Sequence, residues 1–429
     1  MIIKENILNN GWHIIKFSDC IKQLNTGLNP RKNFSLGSGK LKYITAKNLT
    51  KFGTIDFSKC DFIDEEAKKI IHKRSDIRKG DILFSSRAPI GHCHLITEEP
   101  DFYDIGESIF SIRVNQDVVL PEYLCLYLAS DYFVKVASKH TTGSIIIEIR
   151  ISDLMNTEII IPPQELQKNI AKCLNKIDRK IELNKMVNDN LEQQVRLLYD
   201  YWFTQFDFPD ENGEPYRSSG GKMVWNEQLK RTIPDGWTTN PLSDIFTFKS
   251  GYSFSSDLYE MSGKYKLLTI KNVQNNGINL NVDNYINVLP DNLPDYCLLK
   301  AKDILMSLTG NVGRVGIMYA DNCLLNQRVA LAEPVNINQR VFVYFLLKSD
   351  IIHKQYEMIA NGSSQQNLSQ IEAEKVIIAY NPEVATKFST LCNEYLNTIV
   401  SNLAENQELI NIRDWLLPML MNGQATISD

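Results

Sequence analysis

The chain is poor in the side chains that acid–base and metal chemistry use most. Histidine occurs six times in 429 residues, which leaves little equipment for proton transfer. The eight cysteines (Cys20, Cys60, Cys93, Cys125, Cys173, Cys297, Cys323 and Cys392) contain no Cys-x-x-Cys pair. A structural zinc site or a disulfide framework needs clustered spacing, so they read as apolar core residues or free thiols. The one metal-like string, His92-Cys93-His94, would put two imidazoles on one face of a strand, but it shows no third ligand and reads as ordinary strand or loop. No run of 18 or more apolar residues occurs, so no membrane helix and no membrane partner are expected. Met1-Ile2-Ile3-Lys4-Glu5 carries an early acid and no apolar core, unlike a secretory signal. The expected compartment is the cytoplasm.

Several catalytic signatures are also missing. Gly37-Ser38-Gly39-Lys40 lacks the spaced first glycine and the closing Ser/Thr of a phosphate-binding loop. No strand–GxGxxG–helix unit, Gly-x-Ser-x-Gly elbow or His-Glu-x-x-His pair is found. The only Pro-Pro is Pro162-Pro163, outside any Asn/Asp-Pro-Pro-aromatic motif of a base methylase. Glu65-Glu66 and Glu98-Glu99 read as solvated faces rather than catalytic dyads. With 46 Lys+Arg against 51 Asp+Glu, the chain is no lysine-coated polyanion binder, although a neutral domain can still carry a groove-sized basic patch. Hydrophobic residues at 43% and charged residues at 23% are ordinary for a globular protein of two or three domains.

What is present is a long repeat, with a period of about 220 residues. Gly11-Trp12 with Phe17-Ser18-Asp19 matches Gly236-Trp237 with Leu242-Ser243-Asp244. Lys42 to Leu49 matches Tyr265 to Val273, and Lys79-Gly80-Asp81-Ile82-Leu83-Phe84-Ser85 matches Ala301-Lys302-Asp303-Ile304-Leu305-Met306-Ser307. Each half then closes on an apolar strand and proline, at Ile159–Pro163 and Val376–Pro382. Within each half, short β-rich runs alternate with Gly/Asn/Ser turns, and helical stretches follow at 122–138 and 339–359. The expected class is α+β: two similar α/β domains in tandem with a pseudo-two-fold internal repeat.

After each closing proline the period changes. From Gln164 to Phe203 the apolar seam falls at Ile170, Cys173, Ile177, Asn184, Val187, Leu191, Leu198 and Tyr201. The second copy places Phe388, Leu391, Tyr395, Ile399, Leu403, Ile410 and Leu417 before Pro418, which is expected to stop it. A helix of about 40 residues is roughly 60 Å long. That outruns one domain, so the helices should pair antiparallel or bind a partner, with Ile177, Leu191, Leu198, Tyr395, Leu403 and Leu417 as candidate partner-binding positions. The expected layout is a first domain at 1–163, a helix at 164–205, a Gly/Pro-rich linker at 206–235, a second domain at 236–381, and a helix and tail at 382–429.

Polar loops recur at matching places. Ser85-Ser86-Arg87-Ala88-Pro89-Ile90-Gly91 matches Ser307-Leu308-Thr309-Gly310-Asn311-Val312-Gly313-Arg314. Thr141-Thr142-Gly143-Ser144 matches a loop that continues through Ser364-Gln365-Gln366-Asn367, and Lys47-Asn48 matches Lys271-Asn272. Asn326-Gln327-Arg328 stands where the first half has Gly106-Glu107-Ser108. Each could be an ordinary turn. As a recurring set they suit DNA: hydroxyls and amides reach phosphates, Arg87 or Arg314 can fork to guanine, and amides pair with adenine. The candidate contacts are Lys47, Asn48, Ser86, Arg87, Thr142 and Ser144 in the first half. In the second they are Lys271, Asn272, Thr309, Asn311, Arg314, Gln327, Arg328, Ser364, Gln365 and Gln366.

The connecting segment resembles a known family. Tyr201-Trp202-Phe203-Thr204-Gln205-Phe206-Asp207-Phe208-Pro209, then Gly213 to Trp225, then Ile233-Pro234-Asp235-Gly236-Trp237, is similar to the central region of the specificity (S) subunits of type I restriction–modification systems. Ile412-Arg413-Asp414-Trp415-Leu416-Leu417-Pro418-Met419-Leu420-Met421-Asn422-Gly423 resembles their C-terminus. The resemblance implies two target recognition domains, each reading half of a bipartite site in double-stranded DNA, and an antiparallel coiled coil that docks two methyltransferase (M) subunits, with restriction (R) subunits joining that core. It implies no catalysis and no cofactor in this chain: S-adenosylmethionine, ATP and Mg2+ belong to the partners. A protein-binding scaffold and a stand-alone nuclease are the alternative readings.

Overall fold

The computed structural model describes residues 11–50, 53–138, 148–274, 277–360, 366–425 and 427. The chain forms two compact units, residues 1–181 with 408–429, and residues 182–407.

The first unit is built around the strand Ile82–Ser85, all four residues of which are buried. An unbroken apolar run, rather than alternation, is what a strand covered on both faces requires. It sits third in an antiparallel sheet ordered Ile21–Thr26, Ile109–Val114, Ile82–Ser85, Cys93–Leu95. A smaller sheet places Leu41–Ile44 between Asp61–Ile63 and the parallel strand Tyr103–Ile105. A ribbon of His13–Lys16 and Glu158–Ile161 joins the start of the domain to its end.

The second unit repeats this plan. Ile304–Ser307, also fully buried, lies third in the order Phe246–Ser250, Val329–Pro334, Ile304–Ser307, Val315–Ile317. Tyr265–Leu268 pairs in parallel with Cys323–Leu325, and Thr238–Pro241 with Ile377–Tyr380 makes the ribbon. Among the described residues the helix Glu65–Ser75 of the first half has no counterpart in the second; it is N-capped by Asp64, which accepts from Ala67 N–H at 2.8 Å. The helical stretches at 122–138 and 339–359 are each two helices, not one. Ser130 and Ser349 divide them, each hydroxyl accepting an amide of the following helix, from Phe133 at 3.2 Å and Ile352 at 3.4 Å. A serine that caps an amide ends one helix and starts the next.

The two long helices are Gln164–Tyr199, continued by a π-helical turn at Asp200–Thr204, and Pro382–Met421. Their seam differs from the sequence expectation by one residue in alternate positions. Leu174, Ile181, Asn188, Val195 and Trp202 are buried, whereas Val187 is 45% exposed and Leu391 55%. The buried set keeps the 4,3 spacing through Ile170, Leu174, Ile177, Ile181, Asn184 and Asn188, with Ile177 half-buried. In the first unit Ile170 and Leu174 share a core with Leu420 and Met421, and Arg413 pairs with Asp178 at 2.9 Å. In the second, Asn184 donates to Asn406 at 2.9 Å and to Glu405 at 2.7 Å, and Asn402 donates to Asn188 at 2.8 Å, so the segments run antiparallel there. Pro418 does not stop the second helix, which runs on to Met421; it forfeits the N–H bond back to the Asp414 carbonyl, but its own carbonyl still accepts from the Asn422 amide at 3.1 Å, and Gly423, with φ +72°, lies just beyond the end.

Residues 206–235, expected as a linker, are folded into the second unit. Phe206 and Phe208 pack on Trp237 with ring centroids 5.3 and 5.2 Å apart, Tyr216 stacks on Phe208 at 4.8 Å, and Arg231 lies 4.6 Å over Phe206. Met223–Asn226 and Arg231–Pro234 form a hairpin. Gly and Pro mark the turns of this segment, but its aromatics bury enough apolar area, at about 1.5–3 kcal/mol per large side chain, to hold it in place.

The cysteines are free, and all but Cys125 and Cys173 are buried. Burial pushes the Cys20 thiol up to about 12 and Cys60, Cys323 and Cys392 to about 11, far from thiolate reactivity. His92 and His94 each place Nδ1 2.6 Å from a backbone carbonyl, of Leu49 and Gly53, tying that loop to the sheet. Among the described residues no group of three or more His/Cys/Asp/Glu could hold a metal ion, and no helix is long and apolar enough to cross a membrane.

Candidate nucleic-acid interface

Each central strand runs straight into a polar loop, and the two loops close identically. The Ser85 hydroxyl donates to Pro89 O and the Ser307 hydroxyl to Asn311 O, both at 2.5 Å. The same hydroxyls accept from the amides of His92 at 2.9 Å and Arg314 at 3.1 Å. Gly91 (φ +83°) and Gly313 (φ +78°) turn each loop back through the left-handed region, which favours glycine. Because a fully buried strand anchors it, each loop tip is held on a rigid base.

This bonding also resets the pairing of the loops. Arg314 occupies the place of His92, and the counterpart of Arg87 is Thr309. Beside each loop lies a second one. Arg87 bridges to Glu148, and Thr309–Gly310 pairs with Gln366–Asn367. Ile149 N–H donates to Ser86 O and Leu368 N–H to Leu308 O, both at 2.9 Å.

Several expected contacts are structural instead. Asn48 is 4% exposed; its carbonyl oxygen accepts from the Thr45 amide and hydroxyl at 2.9 Å each. Asn272, also 4% exposed, does the same for Thr269 at 2.9 and 3.1 Å, and its amide donates to Asn279 O and Asn281 O. Both asparagines stabilise a turn and are not placed to meet a ligand. Ser86 is fully buried and donates to Ser108 O at 3.1 Å. Lys47 and Lys271 remain exposed on these turns, Lys271 in an ion pair with Asp283 at 2.8 Å. Asn311, Gln327 and Arg328 are exposed; Arg87, Thr309 and Arg314 are half-exposed. Thr142, Ser144, Ser364 and Gln365 lie outside the described residues, as does the side chain of Gln366.

Glu107 and Glu148 escaped the sequence reading. Arg87 donates to Glu107 and to Glu148 at 2.9 Å each. Separations of 20 and 61 residues leave no periodic signal; only the repeat alignment, with Glu107 facing Gln327, hinted at the first. Burial works against the Glu107 carboxylate, but hydrogen bonds from Asn29 and Arg87, with the charges of Arg87 and Arg31, hold its carboxyl below the usual range.

On the helices, Ile177, Leu191, Leu198, Tyr395, Leu403 and Leu417 are half-buried rather than outward-facing; Leu198, Tyr395, Leu403 and Leu417 pack against the cores of their own units. The apolar side chains that do face outward are Leu183, Met186, Val187, Leu197, Leu391, Ile412 and Trp415.

Two copies of one fold, each presenting paired polar loops from a buried strand, define a duplicated recognition protein. The family model described as type I restriction modification DNA specificity domain matches residues 9–193 and 234–383. The chain is 28% identical over 426 residues to the type I restriction enzyme MjaIX specificity subunit of Methanocaldococcus jannaschii, covering 97% of this chain and 94% of that protein. It is 26% identical over 428 residues to the HindI specificity subunit of Haemophilus influenzae, covering 87% and 91%. Its fold is shared by the crystal structure of a type I restriction–modification S subunit from M. genitalium, with a TM-score of 0.55 at 20% identity and 98% of both chains covered. The chain belongs to the type I restriction–modification DNA specificity family and carries its domain twice.

Proposed function

We propose that each half reads one part of a bipartite site in double-stranded DNA, and that the long helices dock two methyltransferase subunits, to which restriction subunits add. The observation that carries this reading is the duplicated loop pair: identical backbone bonding, different side chains at the tips. A framework kept constant beneath altered tips suits two readers with different targets. Lys47, Arg87, Lys271, Thr309, Asn311, Arg314, Gln327 and Arg328 are the accessible candidates for contact. Leu183, Met186 and Val187, spaced i, i+3, i+4 on one helix face, offer an apolar docking stripe. In this reading the chain does no chemistry itself. Methyl transfer from S-adenosylmethionine and any ATP- and Mg2+-dependent step belong to the partner subunits, and the complex acts in the cytoplasm. Genome-wide methylation mapping with and without this gene tests the proposal. Loss of one bipartite methylated motif is expected. An unchanged methylation map, with the partner subunits expressed, removes it.

A further inference from the structure

At three equivalent positions the halves carry different chemistry. The equivalence is fixed by backbone bonds. Ser86 N–H donates to Ser108 O at 3.0 Å, as Leu308 N–H does to Arg328 O at 3.3 Å. Gly106 N–H donates to Ile44 O at 2.7 Å, as Asn326 N–H does to Leu268 O at 3.1 Å. Arg87 faces Glu148 as Thr309 faces Asn367. Arg87, Glu107 and Glu148 therefore correspond to Thr309, Gln327 and Asn367.

In the first half the triad is an ion cluster, with side chains 38%, 36% and 41% exposed. The fold does not require those charges, because neutral residues stand at the same points of the second copy within the same backbone bonding. Carboxylates on a DNA-facing loop are repelled by phosphates unless they meet a donor, and the donors on base edges in the major groove are the amino groups of cytosine and adenine. Arg87 offsets part of that charge, and its guanidinium is fixed by two carboxylates. A guanidinium fork suits guanine O6 and N7, and an adjacent carboxylate suits cytosine N4. A G·C pair presents both together. The second triad is uncharged: Gln and Asn amides suit adenine N6 and N7, and a threonine methyl suits the thymine methyl.

We propose that these three positions set the base preference of each half, with Arg87, Glu107 and Glu148 reading a G·C pair and Thr309, Gln327 and Asn367 reading an A·T pair. This rests on the DNA-reading role proposed above.

The test uses the full chain assembled with its methyltransferase subunits and a randomised duplex library. The wild-type complex should enrich a bipartite motif. Arg87→Thr/Glu107→Gln/Glu148→Asn should cut the preference for one G·C pair in one half-site by roughly 5- to 140-fold, moving it toward A·T, with the other half-site unchanged. Thr309→Arg/Gln327→Glu/Asn367→Glu should do the reverse in the other half-site. Thermal melting checks folding. If a triple variant melts early, Glu107→Gln read alone should still weaken the G·C preference. A folded variant that keeps the wild-type motif overturns the proposal, as does equal weakening on all sequences, which marks phosphate or structural contacts. A wild-type complex that enriches no bipartite motif sinks the DNA-reading role as well, so the two failures are distinguishable.

Discussion

At the scale of single residues, the repeat supplies its own controls. The turn before each central strand needs a left-handed residue, filled by Gly80 (φ +89°) in one half and by Lys302 (φ +73°) in the other. In both, an aspartate carboxylate accepts the amide three residues back, Arg78 to Asp81 at 3.0 Å and Lys300 to Asp303 at 2.8 Å. The left-handed conformation costs a side chain about 1–2 kcal/mol, and glycine recovers that less its larger unfolded-state entropy. Lys302→Gly should therefore raise stability by about 0.5–1 kcal/mol in denaturant melts; a drop would mean that the lysine side chain contributes something its backbone does not reveal. Asn272→Ala should act the opposite way, costing about 1–3 kcal/mol because Thr269, Asn279 and Asn281 lose a buried partner. Its DNA motif should stay unchanged, and a changed motif would return Asn272 to the list of contacts.

At the scale of elements, polar side chains fix geometry that apolar packing leaves loose. Asn184 and Asn188 sit in the seam of the second unit, bonded across it to Asn406 and Asn402. Buried amides that match only in one register specify that register at some cost in stability. Asn184→Ala removes the bonds to Glu405 and Asn406 and should cost about 1–3 kcal/mol; an unchanged melting temperature would show that the amide is merely tolerated. In the first unit, Arg113 on the strand Ile109–Val114 holds Asp76 at 3.0 Å and Asp81 at 2.8 Å, tying the end of helix Glu65–Ser75 to the sheet. Partial burial pushes the Asp76 carboxyl up, but hydrogen bonds from Arg78 and Arg113 outweigh it and hold the carboxyl below its ordinary 3.8. A depressed carboxylate stabilises the fold above its unfolded value and loses that contribution as pH falls through the folded value. Melting temperature should accordingly fall as pH drops below about 4, and Asp76→Asn should flatten that fall; an equal slope in the variant would place the acid sensitivity elsewhere.

For the whole molecule, the charge balance sets how DNA binding must be shared. A net charge of −5, with two Lys+Arg against six Asp+Glu in residues 382–429, gives this chain little long-range attraction for a polyanion. DNA affinity falls with salt at a slope of about −0.9 per phosphate neutralised. Fluorescence anisotropy between roughly 50 and 200 mM salt should show a shallow slope for the chain alone and a steeper one after assembly with methyltransferase subunits. Equal slopes would mean that this chain supplies the phosphate contacts itself.

The repeat, the α+β class and the long helices were legible because each is written in local order: matched strings, unbroken apolar strands, a seven-residue period. The family resemblance was legible in the Tyr201–Trp237 segment, but not that this segment is folded, since its stability comes from Trp237 closing over Phe206 and Phe208. The helix seam was read one residue out in alternate positions: Cys173 is as apolar as its neighbour Leu174, and Val187 is more apolar than Asn188, whose amide is buried with hydrogen bonds across the seam to Ile399 and Asn402 that hydropathy does not reveal. Tertiary structure alone withdrew Asn48, Asn272 and Ser86 from the candidate surface by burying them, and it alone set Arg87 between Glu107 and Glu148. Composition tells which side chains are available for recognition; hydrogen bonds between residues 20 and 61 positions apart decide which of them face outward together.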